Sequence, residues 1–209
     1  MRPLTDDTPK PLLRVGGQTL IEHHIHGLLQ AGITELVINH AYLGEQIVEV
    51  LGDGAAYGVQ INYSAEPEGA LETGGGIHNA LPLLGDAPFL VVNADIWTDL
   101  PFAELPQTLT GLAHLVMVDN PEHHPQGDFS LSNGQLSSAG PAMLTYSGVG
   151  IFHPELFSRC EAGVFPLAPL LRQAMDGEQV GGEHYTGRWF DIGTPERLAA
   201  VSDAVINLQ

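Results

Sequence analysis

Apolar residues recur at helical spacing in the first third of the chain. Leu20 to Gln30 carries its apolar side chains on one face and is followed by Gly32, which predicts a helix that ends just before this glycine. Leu43 to Leu51 predicts a second helix, which Gly52 closes. A shorter helix is predicted from about residue 77 to residue 81, directly after a triplet of glycines.

Short apolar runs between these helices predict strands. Glu35–Asn39 follows the first helix, Val59–Tyr63 alternates with a period of two, and Phe89–Asn93 is the unbroken run expected of a parallel strand covered on both faces. Strands and helices in this order predict an α/β fold with right-handed crossovers and a parallel sheet. Ligands bind such sheets where the strands end, and Asp95 lies at the end of the third run.

The second half of the chain is predicted to add further strands and two helices. In chain order these are a strand at Ala113–Val118, a hairpin at Asp128–Leu136 with an Asn133-Gly134 turn, a strand at Met143–Phe152, a helix at Leu167–Met175, a strand at Arg188–Asp191, and a helix that Thr194 caps and that runs to about Leu208. By contrast, residues 1–17 contain three prolines and two glycines and predict an ordered loop.

Composition restricts the class of partner. The 209 residues are expected to form a single domain, 1–209, with 25 acidic and 7 basic residues and a net charge of −18. A nucleic-acid partner is not expected, because a surface that tracks phosphates needs clustered Lys and Arg. No apolar run is long enough to cross a bilayer, and no membrane partner is expected. Cys160 is the only cysteine, which excludes an intrachain disulfide and fits a cytoplasmic protein. The protein is expected to be a monomer or weak homodimer.

Two aspartates form the main candidate constellation. Asp95 and Asp191 each follow an apolar strand segment, and each lies two residues from one of the two tryptophans, Trp97 and Trp189. Strand ends that are distant in sequence can meet at one edge of a sheet. Two carboxylates there, with water and substrate phosphate as further ligands, make a suitable Mg²⁺ site. The alternative interpretation is that both aspartates only cap strand ends.

Two further segments suggest contacts with a phosphorylated ligand. Lys10 is the only lysine and stands between Pro9 and Pro11, which suits a fixed cation aimed at phosphate. The Glu72-Thr-Gly-Gly-Gly segment opens a helix whose first N–H groups can bind an anion or read a base edge. A tight turn explains these glycines equally well.

Other reactive side chains indicate packing rather than chemistry. His23 and His26 have the spacing of metal ligands, but no cysteine cluster accompanies them, so surface or packing roles are favoured and no zinc is expected. The chain has no Gly-x-Ser-x-Gly motif, and charged residues flank Cys160 on both sides. Nucleophilic serine or cysteine catalysis is therefore not expected.

Several motifs together resemble those of the sugar-1-phosphate nucleotidyltransferases. The stretches that carry the resemblance are Pro3-Leu-Thr…Thr8-Pro-Lys-Pro-Leu12, Leu71-Glu-Thr-Gly-Gly-Gly, Val92-Asn-Ala-Asp95, Tyr146-Ser-Gly-Val-Gly-Ile-Phe and Trp189-Phe-Asp-Ile-Gly-Thr-Pro-Glu. They follow the family order from residue 3 to residue 196, which makes the match specific. The resemblance implies a Rossmann-like, three-layer α/β fold with a mixed, mostly parallel central sheet.

The resemblance also implies an activity. The segments Ile38-Asn-His-Ala-Tyr-Leu-Gly, Val118-Asp-Asn-Pro-Glu-His-His and Gly182-Glu-His-Tyr-Thr-Gly-Arg-Trp are similar to those of short bacterial members without a C-terminal β-helix domain. These members imply Mg²⁺-dependent transfer of UMP from UTP to N-acetylmuramate α-1-phosphate, giving UDP-N-acetylmuramate and pyrophosphate in peptidoglycan recycling. The alternatives are mannose-1-phosphate with GTP, glucose-1-phosphate with dTTP or UTP, and a non-catalytic nucleotide-sugar-binding relative.

The nucleotide and the metal acquire candidate partners through this resemblance. Lys10 would contact the nucleotide phosphates, and Glu72 and Gly75 would lie near the base. Asp95 and Asp191 would hold Mg²⁺ and, with Lys10, form the catalytic set.

The sugar phosphate would be contacted by Asn93, Asp128, Asp191 and the region of Gly148. Ala94 departs from the pattern, since glycine is usual before the metal aspartate. The family also opens with a strand and a Gly-x-Gly-x-Arg loop, which this sequence does not contain. The chain is therefore expected to be N-terminally truncated, with the first strand missing and with low activity as it stands.

Overall fold

The computed structural model describes residues 1–67 and 70–206, which form two compact units. The first unit is built from residues 1–67, 93–105 and 188–206, and the second from residues 70–92 and 106–187. Each unit has its own hydrophobic core. The single domain expected from the length of the chain remains a prediction.

The described residues contain short strands, five α-helices and four 3-10 turns. The strands are β1 (Arg14–Val15), β2 (Gln18–Thr19), β3 (Glu35–His40), β4 (Gln60–Ala65), β5 (Phe89–Val92), β6 (Ile96–Thr98), β7 (Ala113–Val118), β8 (Phe129–Ser132), β9 (Gln135–Ser137), β10 (Met143–Phe152), β11 (Val180–His184) and β12 (Trp189–Asp191). The helices are α1 (Leu20–Gln30), α2 (Gly44–Leu51), α3 (Glu72–Leu84), α4 (Leu167–Asp176) and α5 (Pro195–Ile206), and the 3-10 turns are Lys10–Leu12, Ala55–Tyr57, Phe102–Glu104 and Pro154–Phe157.

In the first unit, α1 has the bounds that its apolar spacing predicts. It begins with a capping box: the Glu22 N–H donates to Thr19 Oγ1 at 3.3 Å, and the Thr19 N–H donates to Glu22 Oε2 at 2.7 Å. Its Ile21 and Ile25 pack with Ile47 of α2 and with the parallel pair β3–β4. The predicted strand–helix–strand segment, which corresponds to β3, α2 and β4, is thus confirmed.

A second core in the first unit supports the short antiparallel pair β6–β12. Trp97 of β6 packs with Ile192, which follows β12, and with Val201 and Val205 of α5. The start predicted for α5 is confirmed, because Thr194 Oγ1 accepts the Arg197 N–H at 3.3 Å. The end predicted near Leu208 lies outside the described residues.

The second unit contains a six-stranded sheet in the order β5-β10-β7-β11-β9-β8. β7 and β11 are parallel, and the other described ladders of this sheet are antiparallel. The expected mixed sheet is confirmed, but its ladders are mainly antiparallel rather than mostly parallel. The reason is that β10 lies between β5 and β7, which share one direction, and opposes both.

The strand predicted at Phe89–Asn93 is less buried than its sequence indicates. Phe89 is buried, but Leu90, Val91 and Val92 are only half-buried. Within the described residues, β5 pairs with β10 alone, and that ladder is antiparallel. An unbroken apolar run therefore does not distinguish a central parallel strand from one paired on a single side.

Residues 1–17 contain more regular structure than the predicted loop. Lys10–Leu12 forms a 3-10 turn, and β1 and β2 form a hairpin whose two-residue turn is Gly16-Gly17, both with positive φ. The strands β6 and β11 were not predicted either. Helix α3 begins at Glu72, includes the glycine triplet and ends at Leu84, so it is longer at both ends than the helix predicted from about residue 77 to residue 81.

The glycines at the start of α3 allow a close approach of backbone in the second unit. A Cβ on Gly75 would lie 2.2 Å from the Gly163 carbonyl oxygen, and one on Gly74 would lie 2.6 Å from the Phe165 ring. The Gly75 N–H donates to the Phe165 carbonyl at 3.0 Å, and the Phe165 N–H donates to the Leu71 carbonyl at 3.2 Å. The triplet therefore packs α3 onto the 163–165 segment.

We expect Gly75→Ala to destabilise the protein, although alanine favours helices by about 1 kcal/mol over glycine. The clash with a backbone oxygen outweighs this gain, and the free energy of unfolding in urea should fall by about 2 kcal/mol or more. Gly177→Ala is the matched control, because its added Cβ meets nothing closer than 3.5 Å. Equal stability of the two variants would contradict this packing role.

His24 of α1 is a buried polar group in the first unit. Its side chain is 7% exposed, and its Nε2 has no hydrogen-bond partner among the described residues. Burial lowers the pKa of His24 to about 4, although a hydrogen bond to the Ile96 backbone opposes this shift. A buried ring that stays neutral gives His24 a packing role in this core.

The lowered pKa of His24 makes stability depend on pH. The unfolded chain binds this proton more tightly, so stability is complete above about pH 6.5 and falls as pH decreases toward 4. Between about pH 7 and about pH 5 the loss should be on the order of 2 kcal/mol in urea unfolding. His24→Gln should remove this part of the pH dependence. Ile25→Val should lower stability equally at both pH values, and a His24→Gln curve parallel to the wild-type curve would refute the assignment.

Candidate active site

Asp95 and Asp191 lie next to each other on the β6–β12 ladder. Asp191 is opposite Ile96, and the Ile192 N–H donates to the Asp95 carbonyl oxygen at 2.8 Å. One residue of offset on neighbouring antiparallel strands places their Cα atoms about 6 Å apart. The structure thus brings together the backbones of two aspartates that the sequence separates widely.

Lys10 reaches the first of these carboxylates. The 3-10 turn Lys10–Leu12 holds its backbone, and Nζ donates to Asp95 Oδ2 at 3.3 Å. Both side chains remain accessible, with 40% of Lys10 and 46% of Asp95 exposed. The three residues predicted to be catalytic therefore lie in one part of the first unit, and an accessible lysine is placed to meet an anionic ligand there.

Arg197 contacts the second carboxylate and was not predicted from sequence. Its Nη1 donates to Asp191 Oδ2 from the first turn of α5. A Cβ on Gly193 would lie 3.1 Å from this Nη1, so the glycine leaves room for the guanidinium. A cation in the first turn of a helix opposes the helix dipole. The position of an arginine three residues after the predicted cap Thr194 was therefore the feature of the sequence that could have drawn attention to Arg197.

The donor set suits a hard divalent cation that has further ligands. Asp95 and Asp191 supply carboxylate oxygens, which such cations prefer. Within residues 1–67 and 70–206, no group of three or more His, Cys, Asp or Glu side chains is arranged to hold a metal. The two aspartates therefore fit a site completed by water and substrate oxygens, and metal binding remains a prediction.

The residues around these aspartates are held by packing. The Nε2 of His23 lies 2.8 Å from the Val15 carbonyl oxygen, and its ring meets Trp97 edge-on. The buried His24 hydrogen-bonds to the backbone of Ile96, the residue after Asp95. Two of the three histidines of α1 thus support the segment that carries Asp95.

The predicted base-contacting residues belong to the second unit. Glu72 is exposed at the start of α3 and has a positive φ of 58°, a conformation that is strained for a side chain of this size. The N–H of Gly75 is used by Phe165, as described above. The structure gives Gly75 a packing role, and its contact with a base remains a prediction.

The carboxylate of Asp128 makes polar contacts with other residues of the second unit. Its Oδ2 accepts the Tyr146 N–H at 2.8 Å, and its Oδ1 lies 3.1 Å from His124 Nε2. Gly148 has a φ of 83° within an irregular part of β10, between Tyr146 and Gly150. These contacts fix the backbone where β10 changes register, and contact with a sugar phosphate remains a prediction.

Three other features complete the comparison with the sequence. Asn93 is half-buried in the first unit, directly after β5 in the chain. Burial raises the pKa of the Cys160 thiol, which does not favour a nucleophilic thiolate. No described helix combines the length and the apolarity that a membrane crossing requires.

Comparison with known proteins places the chain among nucleotide-transferring enzymes. The sequence pattern of the family described as "Nucleotidyl transferase" matches residues 1–129. A Neisseria meningitidis protein named N-acetylmuramate alpha-1-phosphate uridylyltransferase is 56% identical over 95% of this chain and 90% of its own length. A protein of the same name from Caulobacter vibrioides is 36% identical over 96% of this chain and 90% of its own.

A solved structure shows the same fold at low sequence identity. A candidate glucose-1-phosphate thymidylyltransferase from Bacillus anthracis has a TM-score of 0.87 and 18% identity, and the match covers 100% of this chain and 91% of the other. The predicted Rossmann-like α/β fold is confirmed. The resemblance seen in the sequence motifs is confirmed as well, and the chain belongs to the nucleotidyl transferase family.

Proposed function

We propose that this protein transfers UMP from UTP to N-acetylmuramate α-1-phosphate, releasing UDP-N-acetylmuramate and pyrophosphate. The observation that carries the proposal is its 56% identity to the Neisseria protein of that name over nearly the whole chain. The grouping of Lys10, Asp95 and Asp191 in one part of the first unit supports it. Such a reaction would serve recycling of peptidoglycan sugars, and a cytoplasmic location, where UTP is made, is part of the proposal.

The reaction needs positioning and charge neutralisation rather than a covalent intermediate. An oxygen of the sugar-1-phosphate attacks the α-phosphorus of UTP in line. One P–O bond forms, the bond to the bridging oxygen breaks, and pyrophosphate leaves with that electron pair. Since negative charge collects on the transferred phosphoryl group and on pyrophosphate, fixed cations supply most of the stabilisation.

Lys10 supplies such a cation in the first unit. Its backbone is fixed by flanking prolines and by the 3-10 turn, while its side chain remains 40% exposed and able to reach phosphate oxygens. Lysine acts as a point charge, so it tolerates movement of the phosphates during transfer. We assign Lys10 to the phosphates of UTP.

Asp95 and Asp191 would hold the divalent ion. Members of the family generally use divalent metals, and we propose Mg²⁺, because carboxylate oxygens with remaining positions open to water and phosphate suit this ion. Bound there, it would neutralise phosphate charge. For the remaining predicted residues we propose that Glu72 and Gly75 serve the base, and that Asn93, Asp128 and Gly148 serve the sugar phosphate.

Asp95→Asn and Asp191→Asn should each lower kcat/KM by about 100-fold or more. Asparagine keeps the shape of the side chain but removes the anionic oxygen that a divalent cation needs. Pyrophosphate release measures the effect, and circular dichroism checks the fold. Glu35→Gln, at an exposed position of β3, is the matched control and should retain wild-type rates. Activity of either aspartate variant within roughly three-fold of wild type would exclude it from the metal site.

A substrate matrix tests the identity of the sugar and the base. We expect UTP with N-acetylmuramate α-1-phosphate to exceed mannose-1-phosphate with GTP, and glucose-1-phosphate with dTTP or UTP, by at least about ten-fold in kcat/KM. The assay uses this chain and a version extended at its N-terminus by a strand and a Gly-x-Gly-x-Arg loop. Preference for another pair in both forms would overturn the assigned substrates. Tight binding of UDP-sugars without turnover by either form would favour a non-catalytic relative.

A further inference from the structure

Basic side chains are scarce in this protein, and two of them contact the two candidate metal ligands. The chain has 7 Lys and Arg residues against 25 Asp and Glu. Lys10 donates to Asp95 at 3.3 Å, and Arg197 donates to Asp191. The two carboxylates on the β6–β12 ladder are thus matched by two cations, although the protein as a whole has a net charge of −18.

The position of Arg197 is unfavourable for α5 itself. Thr194 caps this helix, and Arg197 donates its N–H to the cap, which places its positive side chain in the first turn. Acidic residues are stabilising there, and a cation opposes the helix dipole. The contact with Asp191 compensates for this position, and it ties the start of α5 to the end of β12.

We propose that Arg197 is a positioning residue that, together with Lys10, keeps Asp95 and Asp191 neutralised in the free protein, so that the divalent ion enters with the triphosphate. This inference rests on the proposed function, which assigns the metal to these aspartates. It adds a residue and an order of binding that the proposed function does not contain.

Charge is the physical reason for this order. A free divalent cation that approaches the two aspartates meets two positive side chains within a few ångströms, and both repel it. A metal–triphosphate complex carries net negative charge, so the same side chains attract it. Lys10 can then move from Asp95 to phosphate, because its side chain and that of Asp95 are both accessible.

The repulsion has a measurable size. Removing one positive charge about 5 Å from a divalent ion, in water and at ordinary ionic strength, should strengthen binding of the ion on the order of five-fold. If Arg197 acted only by fixing the orientation of Asp191, its replacement would weaken metal binding instead. The direction of the change therefore distinguishes the two roles.

Titration with Mn²⁺ in the absence of nucleotide, followed by the electron paramagnetic resonance of the free ion, tests the proposal. Arg197→Gln should bind Mn²⁺ about five-fold more tightly than wild type, whereas Arg197→Lys, which keeps the charge, should bind within about two-fold of wild type. Arg14→Gln is the control for net charge, since Arg14 donates to the Gly17 carbonyl at 2.7 Å on the exposed surface. Lys10→Gln should also bind Mn²⁺ more tightly, which provides a second variant if Arg197→Gln folds poorly.

Unchanged or weaker Mn²⁺ binding by both neutral variants would overturn the proposal, as would equal tightening by Arg14→Gln. These measurements need neither sugar nor turnover. If the substrate matrix shows turnover but the Mn²⁺ affinities do not change, this inference fails and the proposed function stands. If no substrate pair reacts and Arg197→Gln still tightens Mn²⁺ binding, the proposed function fails while the charge-balancing role of Arg197 is supported.

Discussion

The backbone hydrogen bond from Ile192 to Asp95 is the interaction on which the candidate site depends. This bond and the short β6–β12 ladder hold the segment after residue 92 beside the segment before α5. Without the ladder, Asp95 and Asp191 would belong to two unrelated loops. Because Trp97 and Ile192 bury their side chains in the same core as α5, the position of the two aspartates is coupled to the packing of this helix.

Electrostatics then determines what this arrangement can bind. Each of the two aspartates has a cation beside it, because Lys10 contacts Asp95 and Arg197 contacts Asp191. The pairs are about one third to one half exposed, so their contribution to stability is small and their effect on ligands is larger. A strongly acidic protein can in this way select an anionic substrate with few basic residues.

Local patterns predicted most of the fold, whereas features that depend on distant partners were missed. The spacing of apolar residues gave the bounds of α1, and the Asn-Gly turn gave the hairpin β8–β9, because neighbours in sequence determine both. The strand β6 is three residues long and exists only through pairing with β12, so no local pattern indicates it. The direction of β10 between β5 and β7 is likewise set by the whole sheet.

Motifs predicted Lys10, Asp95 and Asp191 as site residues, since each stands in a short segment with characteristic neighbours. The structure places all three in one part of the first unit, and their roles remain predictions. Arg197 was not predicted, because its contact with Asp191 depends on a side chain that reaches from a helix to a strand. The glycine triplet fits either ligand contact or close packing in sequence, and only the approach of the 163–165 segment indicates the packing.

The placement of the two tryptophans has a spectroscopic consequence. Trp97 and Trp189 are the only tryptophans of the chain, and both lie on the ladder that carries the aspartates. Tryptophan fluorescence therefore reports on the first unit alone, because the second unit contains no tryptophan. Comparing fluorescence with far-ultraviolet circular dichroism during unfolding would reveal whether the two units lose their structure together or in sequence.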